Sequence, residues 1–367
     1  MRDPDIDLTS GSRKRALWIA GAVGLVTAAV VVLIFRRASE TPKEPPVSAA
    51  KLAELEADQA VAKYGKHALE IRDQRERLAK TPCDRETALE LGDRLNQMRD
   101  YDGALALVEH FSQACGEWPR LLWVATYAHQ QKSEWAQSAA INGKLIADDP
   151  TDPDFWWWRG EDRAQLKQDT LAEADFRQSM ASRPDKFAAF KLASLLTKTA
   201  PCEGAFALQY LSEKRPERVG QWASEKINEL HLAAGGCADL AGKGRASLGR
   251  EPSSPLVKVE ATVGGQTGVF IVSEQIAYVT VARELAQKAG IQEGSDEVSL
   301  YLGGDIVPAR VAQVERVSLG PASARRVAVA VVDKLPDGVD GMIGLSFLWR
   351  FTTDTSGNKL TLAARSR

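Results

Sequence analysis

"GVFIVSEQIAYVTV", residues 268–281, is an apolar run broken by one polar turn. Gly268 to Val272 reads as a buried strand, Ser273-Glu274-Gln275 as the turn, and Ile276 to Val281 as a second small strand. Upstream, "LVKVEATV" (256–263) is another strand, and "GGQT" (264–267) joins it to the first as a hairpin. Downstream, "VARELAQKAG" (281–290) is a short helix, while "VSLYLG", "ARVAQVERVSL" and "RRVAVAVVD" alternate as strands do. "GMIGLSFLWRF" (341–351) is a further apolar segment, and "TTDTSGNKLTLA" (352–363) a closing hairpin. Residues 255–367 therefore read as a small β domain.

That order resembles the bacterial retropepsin-like aspartic protease domains. In that family a hairpin feeds an apolar strand ending in Asp-Thr/Ser-Gly, a second strand and a helix follow, and a late apolar-apolar-Gly turn precedes a terminal hairpin. "VKVEATVGGQTGVFIV" matches the entry, "YVTVARELAQKAGI" the exit, and "VDGMIGLSFLWRF" the late turn, with Gly344 as its glycine. The resemblance implies a β-barrel and a reaction in which two carboxylates share one proton. It also implies a homodimer through the β domain, since simple members take one Asp from each chain. Here the Asp position is Ser273, the Thr position Glu274 and the Gly position Gln275. Ser273 does not ionise near neutral pH, and Glu274 points to the opposite face of the strand from Ser273. Gln275 brings a Cβ to a place that favours glycine.

"DTSG" (354–357) lacks the following strand and helix and reads as a hairpin turn. Asp333 and Asp340, near the late glycine turn, are surface loop acids or line a cleft.

From Asp84 to Leu232 the chain is helical throughout. "DPDFWWWRGEDRAQLKQDTLAEADFRQSMASRP" (152–184) resembles a tetratricopeptide repeat: Trp156 and Gly160 fit its first helix, Ala172, Phe176 and Ser179 its second, and Pro184 closes it. Leu91-Gly92 and Ala104 sit at equivalent positions upstream, with Ala139 between Ala104 and Ala172. The resemblance implies an α-solenoid over 81–237 whose concave groove holds a protein or peptide partner. It places Asp93, Asn96, Gln131, Trp157 and Glu161 in that groove, although Trp157 fits equally well under a neighbouring helix. The same frame sets Cys83 and Cys115 at the two ends of one hairpin and Cys202 and Cys237 at the ends of the last. It implies the disulfides Cys83–Cys115 and Cys202–Cys237, each worth about 3 kcal/mol in the chain-entropy model. Four buried free thiols are the alternative.

The N-terminal 80 residues are different again. Ala16 to Phe35 carries no charge, and twenty helical residues span about 30 Å, the hydrocarbon thickness of a bilayer. Arg36-Arg37 follows instead of a small-residue cleavage site, so the segment reads as an uncleaved anchor rather than a signal peptide. Arg2, Arg13, Lys14 and Arg15 favour a cytoplasmic N-terminus over residues 1–15. Residues 36–50 read as an extended spacer, 51–80 as a helical stalk, and the Gly/Ser/Pro-rich 238–254 as a linker.

Several functions are excluded by what is missing. A net charge of −2 gives no reason to expect nucleic acid. His67, His110, His129 and His231 have no metal-ligand spacing with one another or with the cysteines, and no Gly-rich cofactor loop occurs. No metal or cofactor is expected. The expectation is a single-pass scaffold of the bacterial inner membrane facing the periplasm, its protease-like domain a non-catalytic binding or dimerisation module. The alternatives are an envelope protease using a non-standard acid, and a structural subunit of an envelope complex.

Overall fold

The computed structural model describes residues 59–60, 62–249, 257–354 and 359–365. The anchor expected over 16–35, with its flanks 1–15 and 36–50, lies outside the described residues. Among these, no helix is long and apolar enough to cross a membrane. The chain divides into two units, Met1–Glu70 and Ile71–Arg367. In the first, a short 3-10 turn forms at Gly65–His67. Within the segment expected as a stalk, helix α1 spans Ala68–Lys80.

The second unit continues with α2 (Arg85–Gln97), α3 (Tyr101–Cys115), α4 (Pro119–Gln131), α5 (Trp135–Asp148) and α6 (Pro153–Gln165). Then come α7 (Asp169–Ser182), α8 (Lys186–Leu196), α9 (Pro201–Lys214) and α10 (Pro216–Ala233). First helices start at Arg85, Pro119 and Pro153, 34 residues apart. The turn inside each pair is also repeated: Arg99, Ser133 and Lys167 adopt left-handed φ of 59°, 59° and 61° at the same spacing. Asp84, Asp152 and Asp185 cap first helices by accepting backbone N–H bonds from Thr87, Asp154 and Phe187.

Close helix approach needs small side chains, and Ala104, Ser138 and Ala172 are fully buried. This corrects the expectation at Ala139, which is only half-buried. A constant period of 34 selects Ser138 instead, and its hydroxyl donates to Asp162 Oδ2 at 2.6 Å.

The strands are β1 (Arg245–Gly249), β2 (Val257–Val263), β3 (Gln266–Val272), β4 (Val279–Ala282), β5 (Glu297–Leu302) and β6 (Asp305–Leu319). They continue with β7 (Ala322–Val332), β8 (Gly341–Ile343), β9 (Phe351–Asp354) and β10 (Lys359–Ala364). Helix α11 (Arg283–Lys288) follows β4, and the single turn α12 (Leu345–Leu348) follows β8. Seven strands run in the order β2-β3-β8-β4-β7-β6-β5, and β2 also pairs β6, which closes the sheet into a barrel. β1, β10 and β9 form a separate antiparallel sheet. The stretch 238–254 is therefore not only a linker. Its "RASLG" alternates, buries Ala246, and pairs β10 from Arg245↔Ala363 to Gly249↔Lys359.

Period-two alternation divides the barrel residues between two cores. Phe270, Val272, Val279, Val281, Val327, Val329 and Val331 fill the barrel. Ile271, Ala330, Val332, Val298, Leu300 and Met342 join instead a core with Phe176, Met180, Phe206, Tyr210 and Leu211 of α7 and α9. The last helices of the solenoid are thus covered by a sheet face. An end repeat needs such a cap, because one face of a stacked hairpin is otherwise left apolar in water.

Candidate functional site

The turn at Ser273-Glu274-Gln275 hangs from β3 through Ser273 N, which donates to Ile343 O at 3.1 Å. Ser273 Oγ accepts from Gln275 N at 3.1 Å, so the hydroxyl closes its own turn. Across it, Leu345 N donates to Ile276 O at 2.7 Å and Ser346 N to Ala277 O at 3.3 Å. Ser346 is fully buried; its Oγ accepts from Val279 N at 2.8 Å and donates to Ala328 O at 2.7 Å. The late turn and the turn at Ser273–Gln275 are one hydrogen-bonded unit.

What lies above that turn is a helix. Lys214, the last residue of α9, bridges Glu274 at 2.8 Å (Oε1) and 3.1 Å (Oε2), and Thr353 of β9 donates to Glu274 Oε1 at 2.7 Å. Burial pushes the Tyr210 hydroxyl up, helped by the charge and hydrogen bond of Glu274. A cavity of about 270 Å³ remains between the turn and α7–α9, lined by Pro184, Tyr210, Lys214, Arg215, Glu274 and Gln275. The Glu274 carboxylate is held by Lys214 and Thr353, and β3 ends at the Ser273 hydroxyl.

At the other end of α9 runs a charged seam that sequence reasoning missed. Glu203 on α9 accepts from Arg177 Nη1 at 3.2 Å and Trp349 Nε1 at 3.1 Å, and it pairs with Arg350 Nη2. Arg350 also donates to Ser346 O, Leu240 O, Arg325 O and Arg326 O, at 2.6–3.1 Å. Arg177 and Arg350 are each 1 % exposed and Glu203 6 %. Burial pulls the Arg350 guanidinium down, against the pull of Glu203. Burial acts the same way on Arg177, but the nearby charges, Glu173 first, prevail and raise it. Arg177 lies over the Tyr278 ring at 5.0 Å and the Trp349 ring at 4.7 Å. Gln178 Oε1 accepts from Tyr301 N at 3.2 Å, fixing β5 to α7. The available signal was polar residues inside apolar text: Arg350 in "FLWRF" and Glu203 immediately after Cys202.

In the repeats, the residues expected in the groove separate. Asp93 and Gln131 are exposed. Asn96 is a correction: it is buried, and its Nδ2 donates to Val124 O at 3.0 Å, so it ties α2 to α4 instead of facing a ligand. Trp157 is half-buried, its ring 4.3 Å from that of Trp158 and 6.0 Å from that of Phe187. Glu161 pairs with Lys191 at 2.6 Å. A column of aromatics follows the repeat: Trp123, Trp157, Phe190 and Trp222 occupy successive first helices. Ring contacts link Trp123 to Phe155 and Trp158, and Phe190 to Trp222. Of the aromatics on these helices, Phe187 (56 %), Phe190 (42 %) and Tyr127 (41 %) are exposed. The structure pairs Cys83 with Cys115 and Cys202 with Cys237. Among the described residues, no group of three His, Cys, Asp or Glu is placed to hold a metal ion.

Asp162 on α6 is fully buried and accepts from Ser138, Gln130 and Asn142 at 2.6–2.9 Å. Burial outweighs those bonds and raises its carboxyl to about 6. An acid raised on folding binds more protons in the folded state between its unfolded value, near ~3.9, and its folded one. Its contribution to stability therefore grows as pH falls from 7 through that window. Asp162→Asn removes this component: calorimetry at pH 7 and pH 5 should give the variant a smaller gain in Tm on acidification than the parent. Equal gains would contradict the assignment.

Residues 259–347 match the aspartyl protease family. No curated protein matches the chain. Among solved structures, a retropepsin-like aspartic protease from Rickettsia conorii shares 20% identity, over 33% of this chain and 92% of that one, with a TM-score of 0.27. A tetratricopeptide repeat protein from Parabacteroides merdae shares 15% identity, over 49% and 73% of the two chains, with a TM-score of 0.38. YrrB, described as a TPR protein with an unusual peptide-binding site, shares 13% over 44% and 91%, with a TM-score of 0.36. The chain joins helical hairpins that recur every 34 residues to a C-terminal β domain, of which residues 259–347 match the aspartyl protease family model.

Proposed function

We propose that this chain is a membrane-anchored adaptor in the periplasm, with a repeat groove that binds a protein or peptide and a protease-like domain that has no catalytic role. The observation that carries this reading is the covered turn: Ser273 stands where the acid is required, and Glu274 is held by Lys214 and Thr353. A homodimer built across this turn would have to displace α9, so the β domain serves the chain's own repeats. For membrane attachment, the support is the uncharged run 16–35. For the periplasm, it is two disulfides, which persist in oxidising compartments.

The partner of such a groove is an extended segment carrying apolar or aromatic side chains, because α4, α6, α8 and α10 each carry a ring of the column. Trp157→Ala with Phe190→Ala should weaken its capture by about tenfold or more, on the scale of aromatic hot spots. The check is crosslinking and pull-down from native membranes, followed by titration of the partner recovered. Full affinity in the double variant would refute the groove as the binding surface.

A further inference from the structure

The two disulfides occupy different mechanical positions. Cys83–Cys115 ties the ends of the single hairpin α2–α3. Cys202–Cys237 lies at the seam between the repeats and the barrel. Cys202 immediately precedes Glu203, the carboxylate shared by Arg177, Trp349 and Arg350. Cys237 O accepts from Leu240 N at 3.1 Å and Ala241 N at 3.0 Å, forming the turn that presents Leu240 O to Arg350 Nη1 at 2.8 Å. Two of Arg350's partners are thus fixed by the two ends of one covalent bond.

The chain on the Cys237 side is built to move once released. Gly235 and Gly236 precede it with φ of 66° and 105°, and nothing stands within 4 Å of where their Cβ atoms would be. Such residues lose the most freedom on ordering and regain it most readily. Cys202, itself 5 % exposed, borders an open cavity of about 880 Å³ between α7, α9, β6 and β7, together with Thr170, Glu173, Asp239 and Gln313.

We propose that Cys202–Cys237 is a redox latch on the docking of the β domain, opened by a small dithiol that reaches Cys202 Sγ through this cavity. A thiolate of the dithiol attacks Cys202 Sγ; the Sγ–Sγ bond breaks, a mixed disulfide forms, and Cys237 leaves as a thiolate that takes a proton. The second thiol then displaces Cys202, which is also protonated, and the dithiol departs as a cyclic disulfide carrying away the two electrons' worth of oxidation. With the bond open, the Gly235-Gly236 joint frees residues 237–242, Arg350 loses Leu240 O, and its bond to Ser346 O in the late turn loosens.

Amide hydrogen exchange on the full chain tests this, with thiol alkylation counting the cysteines released by dithiothreitol. Cys83→Ser with Cys115→Ser leaves the seam bond as the only disulfide. On reduction, exchange at Val279, Leu345 and Ser346 should accelerate about tenfold or more while α4 and α5 stay unchanged. Cys202→Ser with Cys237→Ser should show the same pattern without reductant. If that variant does not accumulate, the reduced parent carries the test alone. Three results overturn the latch. One is full alkylation of Cys202 and Cys237 with the three amides unmoved. Another is acceleration spread equally over α4 and α5, which marks a general staple. The third is a seam bond that dithiothreitol leaves closed while the chain is folded.

Discussion

Arg350→Ala should cost about 3–5 kcal/mol of stability, the range for breaking a buried ion pair from one side. The side chain is 2 % exposed and pairs with Glu203, so the variant leaves a carboxylate side chain that is 7 % exposed short of one cation. It also strips a donor from the carbonyls of Ser346, Leu240, Arg325 and Arg326, which belong to the late turn, the domain boundary and β7. Arg177 and Trp349 still serve Glu203, which keeps the loss below that of an isolated buried charge. Urea unfolding followed by tryptophan emission measures the effect. A loss below about 1 kcal/mol, the scale of an exposed pair, would mean that the seam does not hold the domains together. Adding Glu203→Ala should cost less than the sum of the two single changes, because residues in one network do not act additively.

Gly344→Ala is expected to be comparably severe for a steric reason. An added Cβ would lie 2.2 Å from Tyr278 O and 2.4 Å from Ile276 O. Neither carbonyl is free to retreat. Ile276 O already accepts from Leu345 N, and Tyr278 is fully buried under Arg177. The φ of Gly344 is −111°, open to any residue, so the penalty comes from backbone crowding and not from conformation. Overpacking against fixed atoms should cost about 3 kcal/mol, the upper end of its usual range, or more. Gly338→Ala is the control. That glycine has φ of 73° with open space around it, and its replacement should cost only about 1 kcal/mol. Equal stabilities of the two variants by thermal unfolding would refute the crowding argument.

Much of the architecture is legible in the text because both periodicities are strong. Alternation in "RRVAVAVVD" marks β7, and the 34-residue recurrence marks the hairpins. The turn at Ser273 is legible because its neighbours on both sides keep their order. Small errors arose where composition outvoted pattern. Gly and Ser made 238–254 look like linker alone, although Ala246 and Leu248 already alternate within it. Asn96 was misplaced because a polar residue on a first helix suggests a groove, whereas its amide satisfies the Val124 carbonyl inside the stack. The seam was illegible for a deeper reason. Arg177, Glu203 and Arg350 are far apart in sequence, and nothing local says that three charges will be buried together. Nor does any local pattern show that a sheet face and a solenoid end will cover each other. That is a tertiary fact, and it is the one that places α9 over the turn.

We propose that the aspartic-protease-like frame of residues 259–347 has no catalytic role here, its turn being covered by the chain's own repeats. The most direct measurement is hydrolysis of casein and of a mixed peptide library by the full detergent-solubilised chain, from acidic to neutral pH, with and without pepstatin. The account predicts no pepstatin-sensitive cleavage at any pH, and no difference between the parent and Glu274→Gln. Pepstatin-sensitive cleavage by the parent that disappears in Glu274→Gln would contradict it.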